Sequence, residues 1–420
     1  MFTSQELRAS AERAKACSTL LMKVPEEVRT RSILAIKKAL LQDLPHILAA
    51  NQRDVEAAKI HGLSLALIDR LTLDETRIQS LADSLQKIAE APAVLGQIEH
   101  HSISSKGFTI DRKRIPLGVI GVIFESRPNV LIDCAALAIK SGNSILLKAG
   151  NDAQHSNEAL GKLVKKAIAP YLPDDCIQLI PSGDRSLTIQ LVQLVGLVDL
   201  IIPRGGESLI RMIQEHARVP VIAHAKGLCH LYIHADARTE HAIAITLNAK
   251  TQRPSVCNAI ETLLVHEELQ HRFLPDLLDA LLTAGVELRV DGRLAELYPQ
   301  YKLTKAIAED WDTEYLDKIL AVRMVKDEDE AIEHILKHGS HHTEAIVAED
   351  PCVQQRFETS IDASCIAINV STRFNDGGEL GLGAEIGIST SKLHAYGPMG
   401  AKELTTTRFV VRGDGHCRTS

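Results

Sequence analysis

The chain has 420 residues, of which 45% are hydrophobic and 24% charged, an ordinary balance for a globular protein of two or three domains. Its net charge is −7 and only 3% of its residues are aromatic, which argues against a nucleic-acid or anionic-membrane partner. The first residues lack the pattern of a signal peptide, and no apolar run approaches the roughly 18 residues of a membrane span. We therefore expect a cytoplasmic protein.

The cysteines are spread along the chain, and no two of them have C-x-x-C spacing. A chain of this size without a secretion signal does not need a disulfide framework. We therefore expect reduced thiols, most of them buried, with one available as a nucleophile. The eight cysteines are Cys17, Cys134, Cys176, Cys229, Cys257, Cys352, Cys365 and Cys417.

The first hundred residues have apolar side chains at three-to-four spacing among charged ones, which predicts helices. Short apolar runs rich in β-branched residues then alternate with helical patterns, which predicts βαβ units and a parallel sheet. The predicted elements are helices near 4–22, 25–43 and 74–90, a strand at 117–124, a helix at 132–140, a strand at 144–147, a helix at 154–169, a strand at 176–180, a helix at 186–194 and a strand at 198–202.

The alternation restarts after about residue 230, which predicts a second α/β domain. The tail from Asn375 is first rich in glycine and then alternates over 404–411, which favours a final strand. The predicted strands of the second domain are at 230–234, 260–265, 319–325, 345–348 and 365–369, and its predicted helices are at 236–250, 267–284 and 328–338.

Cys257 lies in a loop between a predicted helix that ends near Lys250 and the predicted strand at 260–265. Such a loop can expose a thiol and direct backbone N–H groups at it, and this environment lowers the pKa of a cysteine below its ordinary value. Free cysteines are more often buried and structural. On position alone, a nucleophilic Cys257 is therefore a hypothesis.

Two further positions suggest nucleotide binding, because nucleotides bind at the carboxyl ends of strands in an open α/β sheet. Lys148 ends the second predicted strand, where an ammonium group can contact a phosphate or a ribose. Gly205 and Gly206 join the fourth strand to a helix, where glycines let a phosphate approach the helix N-terminus. The G-x-G-x-x-G fingerprint is absent, so each position could also be an ordinary strand end or turn.

Histidines cluster between residues 334 and 342, and His334 and His338 have the i, i+4 spacing of some zinc sites. No carboxylate or cysteine completes an obvious ligand set, so we predict no metal. His341 is better interpreted as a polar group that faces a substrate cleft. The glycine-rich segment 376–387 interleaves leucine, isoleucine and glutamate, which favours an ordered loop near a ligand over a flexible linker.

Three long segments resemble the gamma-glutamyl phosphate reductases, a family within the aldehyde dehydrogenase superfamily. They are residues 115–130, the segment around Cys257, and the run 383–400, in that order along the chain. The resemblance covers nearly the whole chain, to about Gly413. It implies an α/β fold of the aldehyde dehydrogenase type, with a Rossmann-type cofactor domain, an α/β catalytic domain and a small β oligomerisation element.

On this resemblance the NADP-binding domain comprises residues 1–97 and 115–228, and the catalytic domain comprises 229–390. The oligomerisation element comprises 98–114 and 400–415. A β-prone tail with an open edge invites pairing with another chain, so we expect a homo-oligomer, at least a dimer. A glutamate kinase is a further candidate partner.

The resemblance also implies roles for single residues. Cys257 matches the superfamily nucleophile, and Lys148 matches the lysine that holds the adenosine ribose of the cofactor. Gly205 and Gly206 match the turn under the pyrophosphate. Glu314 falls where the superfamily has the glutamate that holds the nicotinamide ribose.

Asn129 or Arg127 falls near the asparagine that donates to the oxyanion, and both alternatives stay open. Ser371 and Arg373, with the threonine between them, and His341 would line the site for the glutamyl group. All of these assignments follow from the resemblance and not from spacing.

The implied reaction is the NADPH-dependent reduction of L-glutamyl 5-phosphate to L-glutamate 5-semialdehyde and phosphate, in proline biosynthesis. The Cys257 thiolate would attack the acyl carbon, phosphate would leave, and a hydride from NADPH would reduce the thioester. NADPH is favoured over NADH because Asn151, three residues after Lys148, replaces an acidic residue that would repel a 2′-phosphate.

The sequence departs from the family at Ala223, where a glutamate is common, and at Tyr396, where an arginine is usual. The alternative function is an aldehyde dehydrogenase that oxidises a small semialdehyde to the acid. That reaction needs a general base for the water step, and the sequence offers no clear one. A catalytically silent scaffold is a second alternative, against which the presence of Cys257, Lys148 and Glu314 argues.

Overall fold

The structure is a computed structural model that describes residues 2–181, 185–223, 226–301 and 303–418, apart from the side chains of residues 65 and 66. Its helices are α1 (Ser4–Leu21), α2 (Glu26–Gln42), α3 (Leu44–Ile60), α4 (Leu65–Leu71), α5 (Glu75–Glu90), α6 (Asn129–Ser141), α7 (Gln154–Ile168), α8 (Arg185–Leu191), α9 (Glu207–His216), α10 (Thr239–Thr251), α11 (Leu274–Thr283), α12 (Gly292–Leu297), α13 (Glu328–His338) and α14 (Pro351–Ser360). Its strands are β1 (Ile98–Ile103), β2 (Thr109–Pro116), β3 (Val119–Phe124), β4 (Ser144–Ala149), β5 (Ile177–Ile180), β6 (Leu200–Arg204), β7 (Cys229–Ile233), β8 (Ile260–His266), β9 (Glu287–Val290), β10 (Thr304–Lys305), β11 (Ile319–Val325), β12 (Thr343–Val347), β13 (Cys365–Ile368), β14 (Ile388–Ser389), β15 (Gly397–Pro398) and β16 (Thr405–Arg412).

Contacts between Cα atoms divide the chain into two compact units. The first unit comprises Met1–Ala223, Gly377–Gly387 and Leu393–Ser420, and the second comprises His224–Asp376 and Ile388–Lys392. The roles predicted for the domains are functional assignments, which contacts do not test, so they stay predictions.

The first unit contains a four-stranded parallel sheet in the order β5-β4-β3-β6. Every residue of β3 and β4 is buried, as expected for parallel strands that are covered on both faces. One face packs on α2, α5, α6 and α7, and the other packs on α1, α8 and α9. The strand order reverses at β3, so the carboxyl ends of β3, β4 and β6 form the place where such sheets bind nucleotides.

The same unit contains a three-stranded antiparallel sheet in the order β1-β2-β16. The tail pairs with the strand that precedes the parallel sheet, because Arg412 lies opposite Thr109 and Thr405 lies opposite Pro116. Both outer strands of this small sheet have one edge that no other described strand of the chain covers.

The second unit contains a seven-stranded parallel sheet in the order β10-β9-β11-β8-β7-β12-β13. One face packs on α10, α11 and α12, and the other packs on α13 and α14. Because the strands are parallel, the segments that precede β7, β8, β11 and β12 meet at the same edge, the amino edge of this sheet.

Most predicted elements are present with bounds shifted by a few residues, and the helix predicted at 267–284 is the main correction. A short 3₁₀ turn covers Glu267–Leu269, and α11 begins only at Leu274. Pro275 explains the late start, because proline has no N–H to donate inside a helix and is tolerated only in the first helical turn. No helix in the described ranges is long and apolar enough to cross a membrane.

Candidate active site

Cys257 lies at the amino edge of the second unit's sheet, in the loop between α10 and β8. Its side chain is partly exposed, whereas Cys229 at the start of β7 is buried. The Cys229 thiol donates to the carbonyl oxygen of Cys257 at 3.1 Å. A Cβ atom on Gly227 would collide with the backbone of Cys257, so only glycine lets these two segments approach so closely. The backbone of Cys257 is therefore held by β7 and the residues before it.

The segment after β13 is hydrogen-bonded to the residue next to Cys257. The Thr372 hydroxyl donates to the carbonyl of Asn258 at 2.6 Å, and the Asn258 amide donates to the carbonyl of Asn375 at 3.0 Å. Ser371 is buried, and its hydroxyl accepts from the backbone N–H of Arg373, which shapes the turn. The predicted Ser371 and Arg373 thus lie on a segment that is hydrogen-bonded to the loop that carries Cys257.

The Arg373 side chain is hydrogen-bonded to the end of α10 from which the Cys257 loop starts. Burial lowers the pKa of Arg373, and the nearby Asp376 carboxylate acts in the opposite direction. Its Nε donates to the side chain of Gln252, the residue that follows α10 and begins the Cys257 loop, at 2.8 Å. A positive charge near a thiol favours the thiolate, which is the reactive form.

Glu314 lies on the segment before β11 and also reaches the amino edge of this sheet. Its Oε1 accepts from the backbone N–H of Gly227 at 3.0 Å. Gly227 in turn packs on Cys257. The structure therefore brings together Glu314 and Cys257, which are 57 residues apart in the printed sequence.

The first unit has a cavity of about 150 Å³ at the carboxyl ends of its parallel strands. Lys148 lines it and is buried, with its ammonium group donating to the carbonyl of Ala149 at 3.0 Å. Burial lowers the pKa of Lys148, and the nearby Glu125 carboxylate acts in the opposite direction. Arg185 lines the same cavity and was not predicted. Its only signal in the sequence is that it follows β5, whose carboxyl end lies at this edge.

The turn between β6 and α9 has the form that a dinucleotide phosphate needs. A Cβ atom on Gly205 would collide with Glu125 and Leu209, whereas a Cβ atom on Gly206 would meet nothing within 4 Å. The N–H of Gly206 donates to Glu125 at 3.4 Å, and removal from water raises the pKa of that carboxyl group. The glycines, Lys148 and the open space above Gly206 fit the phosphates of a nicotinamide dinucleotide.

Asn129 and Arg127 belong to the first unit, at the start of α6. Asn129 is the first residue of this helix, and its amide donates to Asp133 at 3.4 Å. Neither side chain is fully buried. Which of the two donates to an oxyanion stays a prediction.

His341 precedes β12 with a left-handed backbone, and its ring lies 2.6 Å from the carbonyl oxygen of Asp362. The ring is exposed, so a substrate could reach it. His334 is buried, and burial is the main reason why its pKa falls to about 2. Within the part of the chain that the structure describes, no group of three His, Cys, Asp or Glu side chains could hold a metal ion.

Residues 7–294 match the model of the aldehyde dehydrogenase family. These residues cover more than half of the chain, and they include Cys257 with its loop. The chain therefore belongs to the aldehyde dehydrogenase family.

Relatives of high sequence identity assign the chain to a smaller group within this family. The chain is 49% identical to a gamma-glutamyl phosphate reductase of Meiothermus ruber and 46% identical to one of Geotalea daltonii, over 100% of each chain. Its fold matches the crystal structure of the gamma-glutamyl phosphate reductase of Thermotoga maritima with a TM-score of 0.94 at 40% identity, over 99% of this chain and 100% of that one. It thus belongs, within the larger family, to the gamma-glutamyl phosphate reductases. The predicted family, fold class and class of enzyme, an oxidoreductase, are confirmed.

Proposed function

We propose that this chain reduces L-glutamyl 5-phosphate to L-glutamate 5-semialdehyde and phosphate with NADPH, through a thioester on Cys257, as a step of proline biosynthesis. The observation that supports this most is the amino edge of the second unit's sheet. There the Arg373 side chain is hydrogen-bonded to Gln252, at the end of α10 before the Cys257 loop, and Cys257 is connected through Gly227 to Glu314. The family provides the class of substrate, and this cluster provides a nucleophile with a place for the cofactor beside it.

In the proposed reaction the Cys257 thiolate attacks the γ-acyl carbon, the bond from that carbon to the phosphate oxygen breaks, and phosphate leaves. The backbone N–H of Cys257 and the side chain of Asn129 or Arg127 donate to the oxyanion. When bound, NADPH supplies the hydride that reduces the thioester. The carbon–sulfur bond then breaks, which releases the aldehyde and restores the Cys257 thiolate.

For the glutamyl group we propose the segment after β13 as the binding site. Arg373 offers the positive charge that a substrate carboxylate needs, and its hydrogen bond to Gln252 keeps that charge close to the loop that carries Cys257. His341 is the third proposed contact, because its exposed ring can donate or accept a hydrogen bond.

The experiment that tests this function is the reverse reaction. Purified protein with L-glutamate 5-semialdehyde, NADP and phosphate should form NADPH, detected by its absorbance. NADPH formation that proceeds equally well without phosphate and yields glutamate would favour the alternative, an aldehyde dehydrogenase that forms the free acid.

For the cofactor, we propose that Arg185 and Lys148 recognise the 2′-phosphate that distinguishes NADPH from NADH. Both line the cavity at the carboxyl ends of the strands, together with Asn151 where an acidic residue would repel that group. The cavity also contains Glu125, whose pKa is raised by burial. Lys148 would hold the ribose, Gly205 and the next residue the pyrophosphate, and Glu314 the nicotinamide ribose.

Arg185→Ala should raise the KM for NADPH about tenfold, the effect of losing one charge-assisted hydrogen bond. The KM for NADH should change little, because NADH has no 2′-phosphate. Steady-state kinetics with both cofactors measures this. Arg211→Ala is the control, since Arg211 is an exposed arginine on α9 that does not line the cavity. An equal loss with both cofactors would contradict the assignment.

We propose that the chain is at least a homodimer, assembled through the three-stranded sheet. The outer strands of that sheet carry apolar side chains that are more than half exposed, which is unusual for a surface that meets only water. The open edges of β1 and β16 can pair with a second copy. These apolar side chains are Ile98, Ile103, Phe409 and Val411.

Light scattering at micromolar concentration should give at least twice the chain's mass of 45.9 kDa. Phe409→Asp combined with Val411→Asp should lower the mass towards that of one chain, because buried carboxylates oppose the contact. Ile60→Asp is the matched control, since Ile60 is as exposed but lies on α3. A monomeric native protein would contradict the proposal.

The site of action proposed for the enzyme is the cytoplasm. We also keep a glutamate kinase as a proposed partner, because acyl phosphates are reactive and a neighbouring kinase would shorten their path. Neither proposal enters the mechanism.

A further inference from the structure

A buried ion pair joins the two ends of the loop that carries Cys257. Lys250 lies in the last turn of α10, Glu261 is the second residue of β8, and their Nζ and Oε2 atoms are 2.6 Å apart. Neither side chain is more than 1% exposed. The ammonium group also donates to the carbonyl of Ile260 at 3.0 Å. The pair therefore fixes the helix end against the strand start, across the nucleophile loop.

The other carboxylate oxygen of Glu261 reaches the segment that carries Glu314. This oxygen, Oε1, accepts from the backbone N–H of Leu316 at 3.1 Å. Leu316 has a φ of 54°, in the left-handed region that residues other than glycine seldom adopt. Such a conformation persists only where surrounding contacts impose it. The hydrogen bond to Glu261 is one such contact, and it fixes the turn two residues after Glu314.

Glu314 completes a closed series of contacts that returns to the nucleophile. Its carboxylate accepts from Gly227, and the backbone of Gly227 lies against Cys257. The ion pair then connects the Cys257 loop back to the Glu314 segment. All of these contacts lie within the second unit.

Stability alone is a weak reason for two charges at this position. Burial raises the pKa of Glu261 and lowers that of Lys250, and each charge only partly offsets the effect on the other. A buried ion pair can often be replaced by apolar side chains of similar volume without loss of stability. What apolar side chains cannot replace is the three hydrogen bonds that Lys250 and Glu261 make to each other, to Ile260 and to Leu316.

We propose that Lys250 and Glu261 are positioning residues, which set the spacing between Cys257 and Glu314 that hydride transfer requires. The inference rests on the proposed function, in which Cys257 forms the thioester and Glu314 holds the nicotinamide ribose. Neither residue of the pair touches substrate or cofactor in this proposal. Their loss should therefore affect the hydride step and leave the reactivity of the thiol unchanged.

The test compares wild type with Lys250→Met/Glu261→Leu, which removes both charges and keeps the volume. Rapid mixing with L-glutamate 5-semialdehyde and NADP measures NADPH formed in the first turnover, which reports hydride transfer. Alkylation by iodoacetamide measures the reactivity of Cys257 without the cofactor. The matched control is Arg293→Ala/Glu267→Ala, which removes an ion pair of similar length, 2.7 Å, on the exposed surface of the same unit.

We expect the first turnover of the buried-pair variant to slow by about 10²-fold, the usual cost of small misplacement in a reacting pair. Its alkylation rate and melting temperature should stay near those of wild type, and the control should match wild type throughout. If the Met/Leu variant does not fold, Lys250→Gln/Glu261→Gln takes its place with the same readouts.

An unchanged first turnover in the folded variant would overturn the proposal. So would a parallel loss of alkylation, because it would mean that the loop itself collapses. Wild-type protein that forms no NADPH from the semialdehyde would instead contradict the proposed function, and that result is separate from either outcome.

Discussion

Cys257→Ala should lower turnover by at least about 10³-fold while NADPH still binds, because the variant has no group that can form the thioester. Cys257→Ser should be almost as inactive, since a hydroxyl is a far weaker nucleophile than a thiolate and leaves less readily. Formation of NADPH from the semialdehyde measures turnover, and quenching or shift of NADPH fluorescence measures binding. Intact binding would show that the loss of turnover does not come from a loss of the cofactor.

The control for this variant is Cys352→Ala. Cys352 is exposed on α14, and its backbone N–H, not its thiol, bonds to the helix cap Asp350. Its loss should leave activity unchanged. Thiol labelling adds a second readout, because substrate should protect Cys257 and not Cys352. Near-normal activity of Cys257→Ala would refute a covalent mechanism at this position.

Alternation of buried strands with helices made most of the fold predictable. The strand β3 is buried over all six residues, and its apolar run is visible in the sequence without any partner. The helix α3 was missed because its buried face is partly polar. Asn51 accepts from the N–H of Leu73, and Asp54 accepts from the N–H of Ser156. Buried polar groups of this kind break the apolar periodicity from which helices are predicted.

The candidate site was predictable residue by residue through family resemblance, and its connections were not. The rule that ligands bind at the carboxyl ends of strands suits Lys148 in the first unit. Cys257 and Glu314 instead precede their strands, at the amino edge of the other sheet. The burial of Lys250 and Glu261 cannot be seen in the sequence, because the contact between them joins two different elements.

The second large effect concerns the thioester on Cys257, whose acyl group should transfer to phosphate far faster than to water. The family resemblance implies that Ala223 stands where hydrolytic relatives hold a base that activates water, and alanine cannot take a proton. Ala223 is buried and follows Val221, which forms a bridge to Ile201 of β6, and Ile222, whose N–H donates to the carbonyl of Ile201 at 3.0 Å. Neighbouring side chains alternate faces along an extended backbone, so we expect His224 to point away from this position, but His224 lies outside the described residues.

A positioned general base typically contributes 10²–10⁴-fold, so its absence should slow attack by water by a factor on the order of 10²–10⁴. Phosphate is itself nucleophilic and needs less help from a base.

Oxidation of L-glutamate 5-semialdehyde with NADP should therefore stop after about one turnover per site without phosphate and continue when phosphate is present. Ala223→Glu should gain phosphate-independent turnover, and Ala223→Gln, of the same size without a base, should not. Steady formation of glutamate by wild type in phosphate-free buffer would mean that another residue supplies the base. The predicted bias suits a reductase, because hydrolysis of the thioester would destroy its activated substrate.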